Sequence, residues 1–135
     1  MKHTWWRLQH EGRSTRIEMR CVDAGSSQTV VVDSPVGRFA ATWQGPVPAV
    51  GDVVDVEIDC APCRWTDVVI GIAAGEQPPG SLHGVIERVQ RDGVAVLRAG
   101  PTTTLLEMVG PQPDGLLGAR VAIPATDIRL FPTNL

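Results

Sequence analysis

The chain has 135 residues, 43% of them hydrophobic and 20% charged, with a net charge of −3 and a single lysine. That apolar content suffices for a packed core and excludes a disordered chain, and an acidic body with one lysine excludes the broad phosphate-tracking surface that dominates nucleic-acid affinity. No run approaches the roughly 18 apolar residues of a membrane-spanning helix, the start Met1-Lys2-His3-Thr4-Trp5-Trp6-Arg7 lacks the apolar stretch of a signal peptide, and three cysteines, an odd number, fit a reduced compartment; a cytoplasmic protein without a membrane partner is expected.

The charge is unevenly spread. Residues 1–20 carry Lys2, Arg7, Arg13, Arg16 and Arg20 against Glu11 and Glu18, whereas residues 21–79 carry only Arg38 and Arg64 against eight acids. Period-two alternation begins at Arg16–Cys21, where Ile17, Met19 and Cys21 share one face and Arg16, Glu18 and Arg20 the other, which predicts a half-buried strand. The β-branched run Val30-Val31-Val32, the turn residues Ser34-Pro35-Val36-Gly37 and the alternating Phe39, Ala41 and Trp43 predict a hairpin. After the Gly45-Pro46-Val47-Pro48 loop, Val54, Val56 and Ile58 alternate with Asp55, Glu57 and Asp59, a strand whose acidic face meets water and discourages edge pairing. Val68-Val69-Ile70 is expected to close this first unit, and the composition of residues 75–80 is that of a linker.

Beyond it, strands are predicted near Leu82–Gln90, Val94–Arg98, Thr102–Val109, Ala119–Ile123 and Ile128–Phe131, separated by Gly- and Pro-rich turns. The pattern of the first half returns here: the segments opening at Ile17 and Gly51 have counterparts at Gly84 and Gly118, each 67 positions later. About five short strands per unit and no helical period predict an all-β chain of two tandem, small OB-like Greek-key β-barrels, residues 1–74 and 81–135.

Two stretches of the second unit, Leu82-His83-Gly84-Val85-Ile86-Glu87-Arg88-Val89 and Gly118-Ala119-Arg120-Val121-Ala122-Ile123-Pro124-Ala125-Thr126-Asp127-Ile128-Arg129-Leu130-Phe131, resemble the opening and closing segments of the transport-associated OB (TOBE-like) domain. This small β-module occurs at the C-terminus of some ABC-transporter ATPases and in molybdate-binding proteins. The resemblance implies a fold and subunit association. The Ser-Ala-Arg-Asn-like opening of the oxyanion-binding members is absent, Pro124 stands where they carry a lysine, and no Walker loop is present.

Cys60-Ala61-Pro62-Cys63 has the spacing of a redox dithiol or half a zinc site. The β-branched residues that follow do not make the helix a thioredoxin-like dithiol needs, and Cys21, His3, His10 and His83 do not supply two more zinc ligands at a standard spacing, so structural turn cysteines are expected. The N-terminal basic and aromatic set Trp5, Trp6, Arg7, His10, Arg13, Arg16 and Arg20, joined by Trp43 and Trp65, has the residue types that stack bases and contact phosphates. The competing reading places the tryptophans in the core or a subunit contact and the arginines on a solvated strand face. His83 and Thr102-Thr103-Thr104 have no identifiable base or nucleophile partner in the sequence, and no hydrolase or metalloprotease motif is present. The expectation is therefore a non-enzymatic, self-associating binding or interaction module without a cofactor, partnered by its own copies or another protein. Single-stranded nucleic-acid binding and a CxxC-based metal or thiol-redox role stand as alternatives.

Overall fold

The computed structural model describes residues 16–25, 27–72 and 80–133. The predicted alternation becomes strands β1 (Arg16–Ala24), β2 (Thr29–Ser34), β3 (Gly37–Trp43) and β4 (Val53–Asp59). Ile17, Met19 and Cys21 point inward from β1, and Phe39, Ala41 and Trp43 from β3. On β4, Val56 and Ile58 are buried, Val54 is half-buried, and Asp55 is exposed with Glu57 and Asp59 half-buried, so the register read from the acidic alternation holds. The β2–β3 hairpin turns at Ser34–Gly37, where the Ser34 hydroxyl donates to the Gly37 carbonyl at 2.8 Å.

Past β4 come β5 (Cys63–Arg64), a 3-10 turn (Trp65–Asp67) and β6 (Val69–Ile70). The second half supplies β7 (Ser81–Val89), β8 (Val94–Ala99), β9 (Thr102–Val109), β10 (Arg120–Pro124) and β11 (Arg129–Pro132). The fold is all-β: a closed barrel in the order β1-β2-β3-β11-β4 and a six-stranded sheet in the order β5-β9-β8-β7-β10-β6.

The sheets do not follow the expected boundary at residues 75–80. The segment Ile128–Phe131, expected to finish the second unit, becomes β11 in the first barrel, parallel to β3 and antiparallel to β4. Conversely, residues expected to close the first unit enter the second sheet, β5 parallel to β9 and β6 antiparallel to β10. Each unit is thus completed by a segment from the other half. Both third strands offer the same parallel slot: Trp43 is paired with Leu130 and Met108 with Cys63. Alternation identifies the closing strands but carries no information on which of two equivalent slots each fills.

The internal repeat extends to individual hydrogen bonds. The Gly51 N–H donates to the Cys21 carbonyl (2.8 Å) and the Cys21 N–H to that of Asp52 (2.9 Å); in the second unit Gly118 donates to Ile86 (2.9 Å) and Ile86 to Ala119 (3.1 Å). Gly51 and Gly118 are therefore equivalent, as expected. The first strands align differently, with Ile17 matching Leu82 and Cys21 matching Ile86, a shift of 65 positions instead of 67. A bulge follows each residue of the latter pair, Cys21/Asp23 on β1 and Ile86/Arg88 on β7. The loop from Trp43 to Gly51 is two residues shorter than the one from Met108 to Gly118, which accounts for the change of offset.

One apolar cluster runs through both units, from Ile17, Trp43, Val56 and Leu130 to Leu82, Ile86, Leu106 and Ile123. The units meet where the β2–β3 turn reaches β7: the His83 N–H donates to the Val36 carbonyl at 2.9 Å, and a Cβ on Gly37 would stand 2.9 Å from the Ser81 carbonyl oxygen. With φ at +129° as well, position 37 requires glycine.

Candidate functional site

On the outer face of the second sheet, Arg120, Val85 and Arg98 form one cross-strand row over β10, β7 and β8. Alternation along β7 places His83 on the same face as Val85. An open groove follows this row, with Gly84 in its floor and Pro35 and Pro101 at its sides. Both arginines are exposed, while His83 and Val85 are half-buried. Gly84 matches Met19 of the first unit, but here β7 and β8 come so close that a Cβ would stand 2.5 Å from the Arg98 carbonyl oxygen.

The first unit has a groove at the equivalent place, also reaching Pro35 and lined by Glu18, Arg20, Asp33 and Val53. Its cross-strand row is Val53, Arg20, Asp33 and Arg38. Glu18 thus corresponds to His83, Asp33 to Arg98 and Val53 to Arg120. In the first groove the charges compensate, with Arg38 and Asp33 3.3 Å apart. In the second, two arginines flank an uncharged valine, and the nearest recorded compensation is an ion pair between Arg98 Nε and Glu87 at 3.4 Å. Solvent weakens this pair, with side chains 45% and 43% exposed, as it weakens the still more exposed Arg38–Asp33 pair. What distinguishes the rows is that Arg20 and Arg38 are matched by Glu18 and Asp33, whereas Arg98 and Arg120 have only Glu87 against them, which leaves the second groove cationic. Partial burial and the neighbouring Arg120 guanidinium both hold the His83 pKa below its ordinary 6.5; its uncharged imidazole can donate from one ring nitrogen and accept at the other.

Of the residues singled out in the sequence, Trp5, Trp6 and Arg7 lie outside the described residues, as do His10 and Arg13. Arg16 is placed by its backbone in β1, opposite Glu57. Arg20 is exposed, with Asp33 across the strand pair. Trp43 is 3% exposed and Trp65 5%, so both belong to the core and neither offers a face for stacking a base. Of this alternative set only Arg16, Arg20, Trp43 and Trp65 lie among the described residues, and the two tryptophans among them face the core.

Cys60 and Cys63 are free thiols on the crossing from β4 to β5, with Cys63 buried and Cys60 half-buried. Their mutual hydrogen bond and burial raise the Cys60 pKa, while the same hydrogen bond lowers that of Cys63. The residues between them form neither a turn nor a bend, which corrects the expected turn: the chain passes from β4 into β5 without one. Among the described residues no group of three or more His, Cys, Asp or Glu is placed to hold a metal ion. Cys63 occupies the slot that Leu130 fills in the other unit, a packing role. Cys21 is buried in β1, where burial and the carboxylates of Asp52 and Asp23 raise its pKa.

His83 drew attention in the sequence only as an isolated residue, and Arg98 and Arg120 not at all. The signal that could have found them is the repeat itself, aligned at the offset of its bulges, because the polar changes then fall together on one face. No helix among the described residues is long and apolar enough to cross a membrane. Compared with protein-family models, curated proteins and solved structures, the chain has no match.

Proposed function

We propose that this protein is a non-enzymatic binding module that recognises an anionic group through the groove of His83, Arg98 and Arg120. The observation that carries the reading is where the two units diverge. Core positions remain apolar in both, as in Ile17 and Leu82, Val32 and Leu97, or Val56 and Ile123, whereas the equivalent groove positions exchange acids and a valine for His83, Arg98 and Arg120. Two cations flanking a neutral residue in one row repel each other, and a bound anion relieves that repulsion while forming charge-assisted hydrogen bonds. Among the described residues, the groove lining contains no carboxylate, thiol or hydroxyl side chain that would orient His83 as a general base or act as a nucleophile.

The strand order of the closed barrel, with its parallel third and fifth strands, is the one expected of an OB-type Greek-key barrel and supports that reading of the fold. The test is calorimetric titration of the intact protein with small carboxylate and phosphate anions at low salt. Arg98→Ala combined with Arg120→Ala is expected to abolish binding while leaving the thermal unfolding transition in place; retained binding in this variant refutes the groove.

A second reading, association with a copy of the chain or another protein, is favoured by Val50 and Leu117. They sit at equivalent tight turns and are 62% and 67% exposed, an arrangement that presents two apolar tips to solvent. Sedimentation of the parent and of Val50→Glu with Leu117→Glu tests it: a parent assembly that dissociates in the variant supports association through these turns, and an unchanged assembly refutes it.

A further inference from the structure

Resting on the anion-binding reading above, we infer that the groove selects a short organic dianion, two anionic ends joined by an apolar spacer, over both an inorganic anion and an extended polyanion. The spacing of the cations is the first reason. Arg98 and Arg120 stand on strands either side of β7, which puts their Cβ atoms about 10 Å apart, two interstrand spacings. At that separation one small ion meets both guanidinium groups only if both side chains bend in over Val85, whereas two separated carboxylates give each its own bidentate partner.

The floor between the cations is the second reason. Val85 fills the middle of the row, and the flanking walls are Pro35 and Pro101. A single anion centred over Val85 would be desolvated there without donors beneath it, whereas a methylene spacer buries apolar surface at the same place. His83, beside Arg120, supplies a further polar contact at that end of the groove.

The adjoining groove is the third. Pro35 belongs to both grooves, and on its other side stand Glu18 and Asp33. A polyanionic strand long enough to leave the cationic groove in that direction enters a row where Arg20 and Arg38 are offset by Glu18 and Asp33, and gains no net attraction there. Among the described residues, neither groove lining contains an aromatic side chain other than the His83 imidazole to serve as a stacking platform. A dianion that ends within the groove avoids both penalties.

The experiment is a calorimetric comparison on the full chain at low salt, using succinate, glutarate and adipate, with butyrate, inorganic phosphate and oligothymidylate as contrasts. One or more of the dicarboxylates is expected to bind at least about tenfold more tightly than butyrate and phosphate, the gain of a second charge-assisted contact. Arg98→Ala and Arg120→Ala, each alone, should reduce that dicarboxylate to the affinity of butyrate, and Glu18→Gln with Asp33→Asn should leave it unchanged while strengthening oligothymidylate. Thermal melts confirm that each variant is folded. Phosphate binding as tightly as the best dicarboxylate, or oligothymidylate binding best with loss in the arginine variants, overturns the dianion inference and leaves the anion-binding groove standing. No binding by any probe, or binding indifferent to both arginines, overturns the groove itself.

Discussion

The two units differ most where they face solvent and least in their bulges, turns and inward-facing positions. In the first, the outer row Val53, Arg20, Asp33 and Arg38 alternates charge and partly neutralises itself; in the second, Arg120, Val85 and Arg98 concentrate one sign. Beneath these rows the bulges, the Gly51 and Gly118 turns and the inward-facing residues coincide. A repeated framework can keep its packing and vary its outer face because strand side chains alternate between core and solvent. The first unit therefore serves as an internal control for the second, showing what the groove contains when it is not cationic.

The largest effect is expected where the units complete each other. Leu130 is fully buried in the first barrel, paired with Trp43 on one side and Ile58 on the other, and Arg129 beside it meets Asp59 at 3.3 Å. Leu130→Ala should cost about 2–5 kcal/mol through lost burial and the cavity left behind. Cys63→Ala, at the matching position of the second sheet, removes only one sulfur from a two-residue strand and should cost about 1 kcal/mol, in the range of a single buried methyl-sized group. Denaturant melts of the two variants check the ranking, and a smaller loss for Leu130→Ala would show that β11 is not what holds the first barrel closed.

These two residues also mark how far the sequence was legible. Strand positions were readable because Ile17, Met19 and Cys21, or Val54, Val56 and Ile58, alternate with charged residues, and burial follows that period. The all-β architecture with two β-units followed from the same pattern and from the repeat. The exchange of closing strands was not readable, since Leu130 and Cys63 are each an apolar residue in a short β-run and the slots beside Trp43 and Met108 are alike. The groove was missed for a related reason. Val85 and Arg98 are neighbours only through the β7–β8 register, which a bulge between Ile86 and Arg88 displaces, so no linear spacing brings His83, Arg98 and Arg120 together. Trp43 was weighed as a stacking residue and as core; the same inward face of β3 that carries Phe39 and Ala41 carries it too, and core is what the structure supports.

An intermediate effect is expected at Gly84. Its counterpart Met19 fills the first core, but in the second unit the Arg98 carbonyl oxygen occupies the space a Cβ needs, at 2.5 Å, and backbone cannot yield as a side-chain end can. Gly84→Ala should therefore destabilise by about 1–3 kcal/mol, the usual cost of overpacking, and should also weaken anion binding by displacing β8 and with it Arg98. Gly45→Ala makes a useful contrast: no atom lies within 4 Å of its added Cβ, so its cost is confined to the positive φ of +101° and leaves the groove untouched. Equal binding losses in both variants would sever the link between Gly84 and the position of Arg98.

The smallest effect is the pH response of His83, which separates the units again because Glu18 holds the equivalent place. Burial and Arg120 favour the neutral imidazole in the folded protein, so the unfolded chain takes up the proton first as pH falls. The contribution of His83 is therefore fully present above the unfolded value of 6.5 and is lost progressively as pH drops from there through the lower folded pKa. Arg120 on β10 and Arg98 on β8 share the groove with His83, and Glu87 lies further along β7 against Arg98, while the β2–β3 turn brings only the uncharged Pro35 and Gly37. A bound dianion reverses the balance by favouring the imidazolium, so affinity should rise as pH falls from 7 towards 6, with net proton uptake on binding. His83→Asn should flatten both responses, compared with the parent so that the other titrating groups cancel. Calorimetry in two buffers of different ionisation enthalpy measures the uptake directly; proton release, or an uptake that survives in His83→Asn, would place the titrating group elsewhere.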